Sequence, residues 1–265
     1  MSTADKLLNA LALFTYEAPE WTVEAAADAL SVSGSTAYRY FSSLTKAGLL
    51  DPITNGRYIL GPAIIAYDRQ LRHWDPLIKV ARPALEKLIQ RNGGEGIGLL
   101  CRRFRQQVMC VHQYHEKQVD KAVSYERGRP MGLYRGAASL VILAHLPGRT
   151  RRALYASDAA AIGKAGLGDN WDEFRAKLRV IKNDNVCITH GQLDQGMIGI
   201  SAPIFHAEKQ IAGSVSIVLT DESVGESEVA GAAALVQAAA REVDVGLGRI
   251  ENLPALRPAL GAIIG

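Results

Sequence analysis

Residues 31–60 constrain this chain more than any other stretch: a short turn, a helix with one apolar face, and two strand-like runs joined by Asn55-Gly56. In that helix Ala37, Tyr40, Phe41 and Leu44 recur at three-and-four spacing on one face. Ser35, Thr36, Tyr38, Arg39, Ser42, Ser43 and Lys46 fall on the other. The apolar side anchors the helix and leaves a hydrogen-bonding side free. Upstream, Thr22 is placed to cap a helix through Ala25, Ala26, Ala29 and Leu30, with Glu24 in its first turn. Ser31-Val32-Ser33-Gly34 then supplies the turn, and an earlier helix over 4–16 brings Leu7, Leu8, Leu11 and Phe14 to a three-helix core. Asn55-Gly56, flanked by Leu49-Leu50 and by 57–60, is a tight-hairpin signal with Arg57 near its tip. Helix, turn, helix and an immediate hairpin outline a winged helix-turn-helix, a DNA-reading module.

Charge adds a local argument only. The net charge of the 265 residues is +3. In the first 73 residues Lys6, Arg39, Lys46, Arg57, Arg69 and Arg72 are outnumbered by Asp5, Glu17, Glu20, Glu24, Asp28, Asp51 and Asp68. Between Ala29 and Leu50, however, no acidic residue occurs, so Arg39 and Lys46 are expected to stand unopposed on the DNA-facing surface. One such domain should bind weakly, which points to a dimer.

No uninterrupted apolar run reaches the ~20 residues of a membrane span, and Met1-Ser2-Thr3-Ala4-Asp5 does not open a secretory signal. Cytoplasmic residence is the expectation. Cys101, Cys110 and Cys187 form no metal-ligand spacing and read as reduced, buried thiols, with Cys101 and Cys110 able to face each other across a hairpin.

Beyond Gly61-Pro62 the pattern predicts a linker helix over 63–74, then a helix over 77–91 with Val80, Ala81, Leu85, Leu88 and Ile89 as its stripe. Strands are predicted at 97–101, 108–112 and 122–125, helices at 136–146, 150–155 and 171–184, strands at 198–205 and 211–219, and a long helix at 227–250. Strand pairs close in sequence, interrupted by helices, indicate an antiparallel sheet with helices on its faces. The fold class is therefore α+β: a winged helix-turn-helix over 1–61, a linker helix over 62–75, an antiparallel-sheet effector-binding domain flanked by helices over 76–251, and a tail over 252–265.

The chain resembles the isocitrate-lyase-regulator (IclR) family of bacterial transcription factors from Lys6 to about Ile250. The resemblance is carried by Ser35-Thr36-Ala37-Tyr38-Arg39 through Lys46-Ala47-Gly48-Leu49-Leu50, by Gly128-Arg129-Pro130-Met131-Gly132-Leu133-Tyr134, and by Gly191-Gln192-Leu193-Asp194-Gln195-Gly196 with Gly199-Ile200-Ser201-Ala202-Pro203-Ile204-Phe205. It implies dimers, or dimers of dimers, on a palindromic double-stranded operator, and a small organic acid or aromatic catabolite as effector. Ser139-Leu140 stands where family members usually have Gly-Lys, and Arg135 where a small residue is frequent.

In the DNA-binding domain the expected operator contacts are Ser35, Thr36, Tyr38, Arg39 and Ser42, with Arg39 suited to a bidentate guanine contact and Lys46 and Arg57 to phosphates. In the effector domain the free amides at the start of the Gly136 helix suit a carboxylate, and Ala137 and Ala138 let it approach the backbone. The resemblance places the family's ligand-facing amides at about these positions. It also matches Asp194 and Ser216 to pocket-lining segments, which suits them to bond the far side of a ligand. Arg135 is expected either as a second acid contact or as a surface salt bridge. Val123, Tyr125, Met131, Leu133 and Met197 would form apolar walls, with plain core packing the alternative for the two methionines.

Catalysis is not expected. His112, His115, His190 and Asp194 fall in no catalytic or metal spacing, and the glycines of 93–98 precede a strand rather than open a helix. No cofactor or metal is implied. The competing reading is a ligand-binding or protein-interaction module that has kept the fold without specific DNA binding.

Overall fold

The computed structural model describes residues 2–117, 123–221 and 224–251. The chain divides between Asp75 and Pro76 into two compact units.

The first unit is nucleated by well-capped helices. Helix α1 (Thr3–Ala12) starts in a capping box: the Ser2 hydroxyl accepts from Asp5 N–H at 3.1 Å and the Asp5 carboxylate accepts from Ser2 N–H at 2.8 Å. After strand β1 (Trp21–Thr22), Thr22 caps helix α2 (Val23–Leu30), accepting from Ala25 N–H at 3.2 Å. Ser31 ends α2 in the left-handed region, and Ser33 caps helix α3 (Gly34–Lys46). Ala10, Phe14, Ala26, Phe41, Leu44 and Leu50 form the core. Strands β2 (Leu50–Pro52) and β3 (Arg57–Leu60) form the wing, giving a sheet in the order β1-β3-β2. Its turn puts Asn55 at φ 62° and Gly56 at φ 68°, the left-handed pair for which Asn-Gly is suited. Phe41 packs edge-on against Tyr58 at 5.0 Å, tying α3 to the wing. Helix α4 (Ala63–Trp74) follows and buries no residue.

The second unit is a six-stranded antiparallel sheet with helices on both faces. Helix α5 (Pro76–Arg91) leads into β4 (Ile97–Phe104), β5 (Gln107–Tyr114), β6 (Pro130–Gly132) and helix α6 (Ala137–His145). Helices α7 (Gly148–Lys164) and α8 (Trp171–Asp184) precede β7 (Cys187–His190), β8 (Met197–Phe205), β9 (Ile211–Thr220) and the long helix α9 (Glu226–Glu251). The strand order is β6-β5-β4-β9-β8-β7. Alternation splits the core in two: Leu99, Cys101 and Val218 pack with α6 and α8, and Leu100, Ile200 and Ile217 with α5 and α9. Burial on both faces explains why β8 and β9 read as nearly unbroken apolar runs.

The strand expected at 122–125 is not one: 123–125 is irregular, Ala122 lies outside the described residues, and the edge next to β5 is taken by β6. Strand β7 was hidden by its shortness and its Thr and His. The helix expected at 150–155 runs over α7 instead, because Ser157-Asp158 marks a kink rather than an end. Asp158 departs to φ −127° while its carboxylate accepts from Tyr134 Oη at 2.6 Å. Cys101 and Cys110 face each other across β4 and β5, and the hydrogen bond with Cys110, together with burial, pushes the Cys101 thiol well up. The tail over 252–265 lies outside the described residues. Among the described residues no helix is long and apolar enough to cross a membrane.

Candidate nucleic-acid interface and ligand cavity

Helix α3 buries Ala37, Tyr40, Phe41 and Leu44 and turns its other side outward. Ser35, Tyr38, Arg39 and Lys46 are exposed, Tyr38 to 62%, while Thr36 and Ser42 are half-buried. Thr36 is drawn into the helix cap: its hydroxyl lies 2.9 Å from Ser33 Oγ, which also meets Ser35 Oγ at 3.1 Å. Arg39 and Lys46 carry no ion pair among the described residues.

Arg57 stands near the wing tip, as expected, directly after the turn of 54–56; it opens β3, and its Nη1 donates to Glu20 Oε2 at 2.6 Å. One expectation about charge requires correction: the α3 surface is not free of carboxylates. Glu24, from the first turn of α2, lines a cleft of about 560 Å³ with Ser35 and Tyr38 on one side and Asn55, Gly56 and Tyr58 on the other. A scan along the chain missed Glu24 because it is ten positions before the helix it faces.

In the second unit a cavity of about 30 Å³ lies at the amino end of α6. That is room for about two waters. Of the expected ligand residues, Val123, Tyr125, Ala137, Ala138, Asp194, Met197 and Ser216 line it. Gly136, whose helix start the sequence pointed to, lines it as well, and so do Leu99, Thr189, Gln192, Leu193, Gly199 and Val218, which sequence reasoning had not singled out for this site. Gly136 sits at φ 83°, and a Cβ there would lie 2.5 Å from Leu193 Cδ1 and 3.1 Å from the Tyr125 ring. Only glycine allows that approach.

The polar groups of the cavity are largely engaged. Gly136 N–H donates to Gln192 Oε1 at 3.1 Å. The Tyr125 hydroxyl accepts from Ser139 N–H at 3.2 Å and lies 2.6 Å from Ser139 Oγ; burial pushes this phenol far up. Asp194 accepts from Ser124 N–H at 2.9 Å and from Ser124 Oγ at 2.5 Å, and Ser216 Oγ is 2.7 Å from Ser201 Oγ. The next two amides of α6, those of Ala137 and Ala138, meet no acceptor among the described residues, as helix geometry requires at an amino end.

Three expected wall or contact residues lie elsewhere. Leu133 is packed into the α6 core at 2% exposure, and Met131 sits on edge strand β6 against that core. Exposed Arg135 donates to the carbonyl oxygen of Gln192, pinning the 191–196 loop from outside, and forms no salt bridge among the described residues. Among the described residues no cluster of three His, Cys, Asp or Glu side chains could hold a metal ion.

Family models match along both units: the IclR helix-turn-helix domain over residues 3–52, and the bacterial transcriptional regulator IclR C-terminal domain over residues 70–245. The HTH-type transcriptional regulator KipR of Bacillus subtilis is 24% identical over 216 residues, covering 81% of this chain and 84% of that protein. The crystal structure of an IclR-type regulator from Alicyclobacillus acidocaldarius superposes with a TM-score of 0.76 at 19% identity, covering 93% of this chain and 98% of its own. That of an IclR homolog complexed with 4-hydroxybenzoate, from Microbacterium hydrocarbonoxydans, gives a TM-score of 0.72 at 17% identity, covering 93% and 99%.

Proposed function

The chain belongs to the IclR family of bacterial transcriptional regulators, non-enzymatic transcription factors with a DNA-binding helix-turn-helix, and from that premise we propose that its operator binding is controlled by a small organic acid held in the cavity at the amino end of α6. The observation that carries the effector half is the cavity itself. It is walled by Val123, Leu99 and Met197 and closed at one end by the first amides of a helix, the positive end of the α6 dipole. The 4-hydroxybenzoate bound by the Microbacterium hydrocarbonoxydans homolog supports an acid as its guest.

Ser35, Tyr38 and Arg39 meet the operator in this reading, with half-buried Ser42 farther along α3, Thr36 drawn towards the helix cap and Lys46 on phosphate. The protein acts in the cytoplasm as a homodimer or dimer of dimers on a palindrome, since one domain offers few cations and two half-sites add their contacts. An aromatic acid needs more space than the roughly 30 Å³ of the cavity, so in this reading the 191–196 loop, bounded by Gly191 at φ 59° and Gly196 at φ 73°, moves aside when the acid enters. Ligand and operator then favour or oppose the same protein arrangement, and each changes the other's affinity by the same factor.

Footprinting on the DNA upstream of the protein's own and neighbouring genes, with and without a panel of aromatic and aliphatic acids, tests the reading. A protected palindrome altered by one acid is the expected result. Protection that no acid alters removes the effector half. No protection under any condition favours the protein-interaction module, to which the acidic excess of the first 73 residues also points.

A further inference from the structure

We infer that the hairpin joining β4 to β5 is a second nucleic-acid contact, in which Arg103 and Arg105 grip the phosphate backbone of duplex DNA without reading its sequence. The inference rests on the DNA-binding reading of the chain and is independent of the effector cavity. Strand β4 is buried from Ile97 to Cys101 and exposed from Arg102 onward, and its pairing with β9 stops at Cys101 and Ser214. Successive residues of a strand point to opposite faces, yet all of 102–107 are exposed, so neither helix layer covers the hairpin. Arg102, Arg103 and Arg105 lie together there, and no acidic residue occurs from Ile97 to His115.

Two of these cations are held in place with their hydrogen-bonding edges unspent. Arg103 donates through Nε to the carbonyl oxygen of Arg105 at 2.8 Å, which leaves its two terminal nitrogens without a partner among the described residues. The Arg105 guanidinium lies 5.3 Å from the ring centroid of Phe104, itself 43% exposed, a contact that fixes the charge and uses none of its N–H groups. Neither arginine meets a carboxylate among the described residues. Arg105 also stands at φ 56° in the two-residue turn between the register partners Phe104 and Gln107. Glycine, asparagine and aspartate suit such a turn, so the arginine is there against the preference of its backbone, and a residue held in that way points to use.

Duplex DNA is the partner that fits. The α3 face offers Arg39 and Lys46, while the first 73 residues carry more acids than bases, so the first unit as a whole attracts a polyanion little. Guanidinium forks match phosphate oxygens two by two, which an ammonium cannot do. Guarding an exposed strand against other strands would need only charge of either sign, and would not need an arginine at the turn.

Fluorescence anisotropy of the full chain with a random-sequence duplex several helical turns long, over a series of salt concentrations, tests this. The proteins are wild type, the double variant Arg103→Gln with Arg105→Asn, and a control, Lys164→Gln with Arg179→Gln, that removes the same charge from exposed positions of α7 and α8. The hairpin variant should bind about tenfold more weakly at low salt and lose about 0.9 from the slope of log affinity against log salt for each arginine that met a phosphate, while the control stays near wild type. Arg105→Asn alone should hold or raise the thermal midpoint, because asparagine suits the left-handed turn, and should still weaken binding. Those opposite signs separate a contact from a support of the fold. Equal losses in the hairpin variant and the control reduce the effect to net charge and overturn the contact. Unchanged binding in the hairpin variant overturns it too, and leaves the arginines to an acidic protein partner. Wild type that binds no duplex at any salt overturns the contact and the DNA-binding reading together.

Discussion

The exposed face of α3 takes its side chains from residues 35–46 of one helix, whereas the cavity collects its walls from β4, the irregular 123–125 segment, the start of α6, β7, the 191–196 loop, β8 and β9. The first site is local and open; its side chains point outward because Phe41 and Leu44 point in. The second is dispersed and narrow, and most of its polar atoms are engaged by neighbouring groups. Substitutions should therefore act singly on the helix face, while in the cavity each one releases a partner.

Phe41 tests whether the helix face depends on its anchor. It is fully buried and packs against Phe14 at 6.2 Å and Tyr58 at 5.0 Å. Phe41→Ala should destabilise the first unit by about 3–5 kcal/mol. Chemical denaturation should show an early transition, with DNA binding lost. A shift under about 1 kcal/mol would mean that the face does not depend on this packing.

Arg39 tests the face itself. Arg39→Ala should weaken specific operator binding by about 1–3 kcal/mol, relax the preference at one base pair, and leave the unfolding midpoint unchanged. Unchanged operator affinity in a gel-shift titration would remove Arg39 from the interface.

The difference between the sites also explains what the sequence made legible. The helix face followed from a 3.6-residue period, and the wing from Asn55-Gly56, because both signals are local. The cavity was half legible. The amino end of α6 was found through Gly136 and its following alanines, whereas Gln192, Leu193 and Thr189 enter through a loop and a four-residue strand too short to show periodicity. The clue that was present was alternation: Cys187 and Thr189 are buried and Ile188 and His190 are exposed. Glu24 and Glu20 changed the charge reading for the same reason, since each meets its neighbours across the fold and not along the chain.

Gln192 tests how far the cavity's own polar groups compete with a ligand. Its carboxamide oxygen occupies the amide of Gly136, the place an acid oxygen would take. Removing it costs one hydrogen bond, on the order of 0.5–1.5 kcal/mol, and frees a donor for the ligand. Gln192→Ala should thus lower thermal stability slightly and tighten acid binding severalfold by calorimetry. Weaker binding would make Gln192 a ligand contact instead of a competitor.

The smallest effect belongs to Arg57. Its pair with Glu20 leaves the two side chains 43% and 39% exposed, so the bond is largely solvent-screened and contributes at most about 1 kcal/mol. A phosphate could still compete for it, because breaking the pair costs so little. Arg57→Ala and Glu20→Gln separate the two roles by the salt dependence of operator binding. If Arg57 serves only the wing, Arg57→Ala leaves the slope of log affinity against log salt unchanged, and Glu20→Gln leaves it unchanged too. If Arg57 turns to a phosphate on binding, Arg57→Ala reduces the slope by about one. Glu20→Gln would then tighten binding, since the free protein no longer holds the guanidinium back. Salt titration of these two variants thus determines whether the wing joins α3 as part of one charged surface or only braces it.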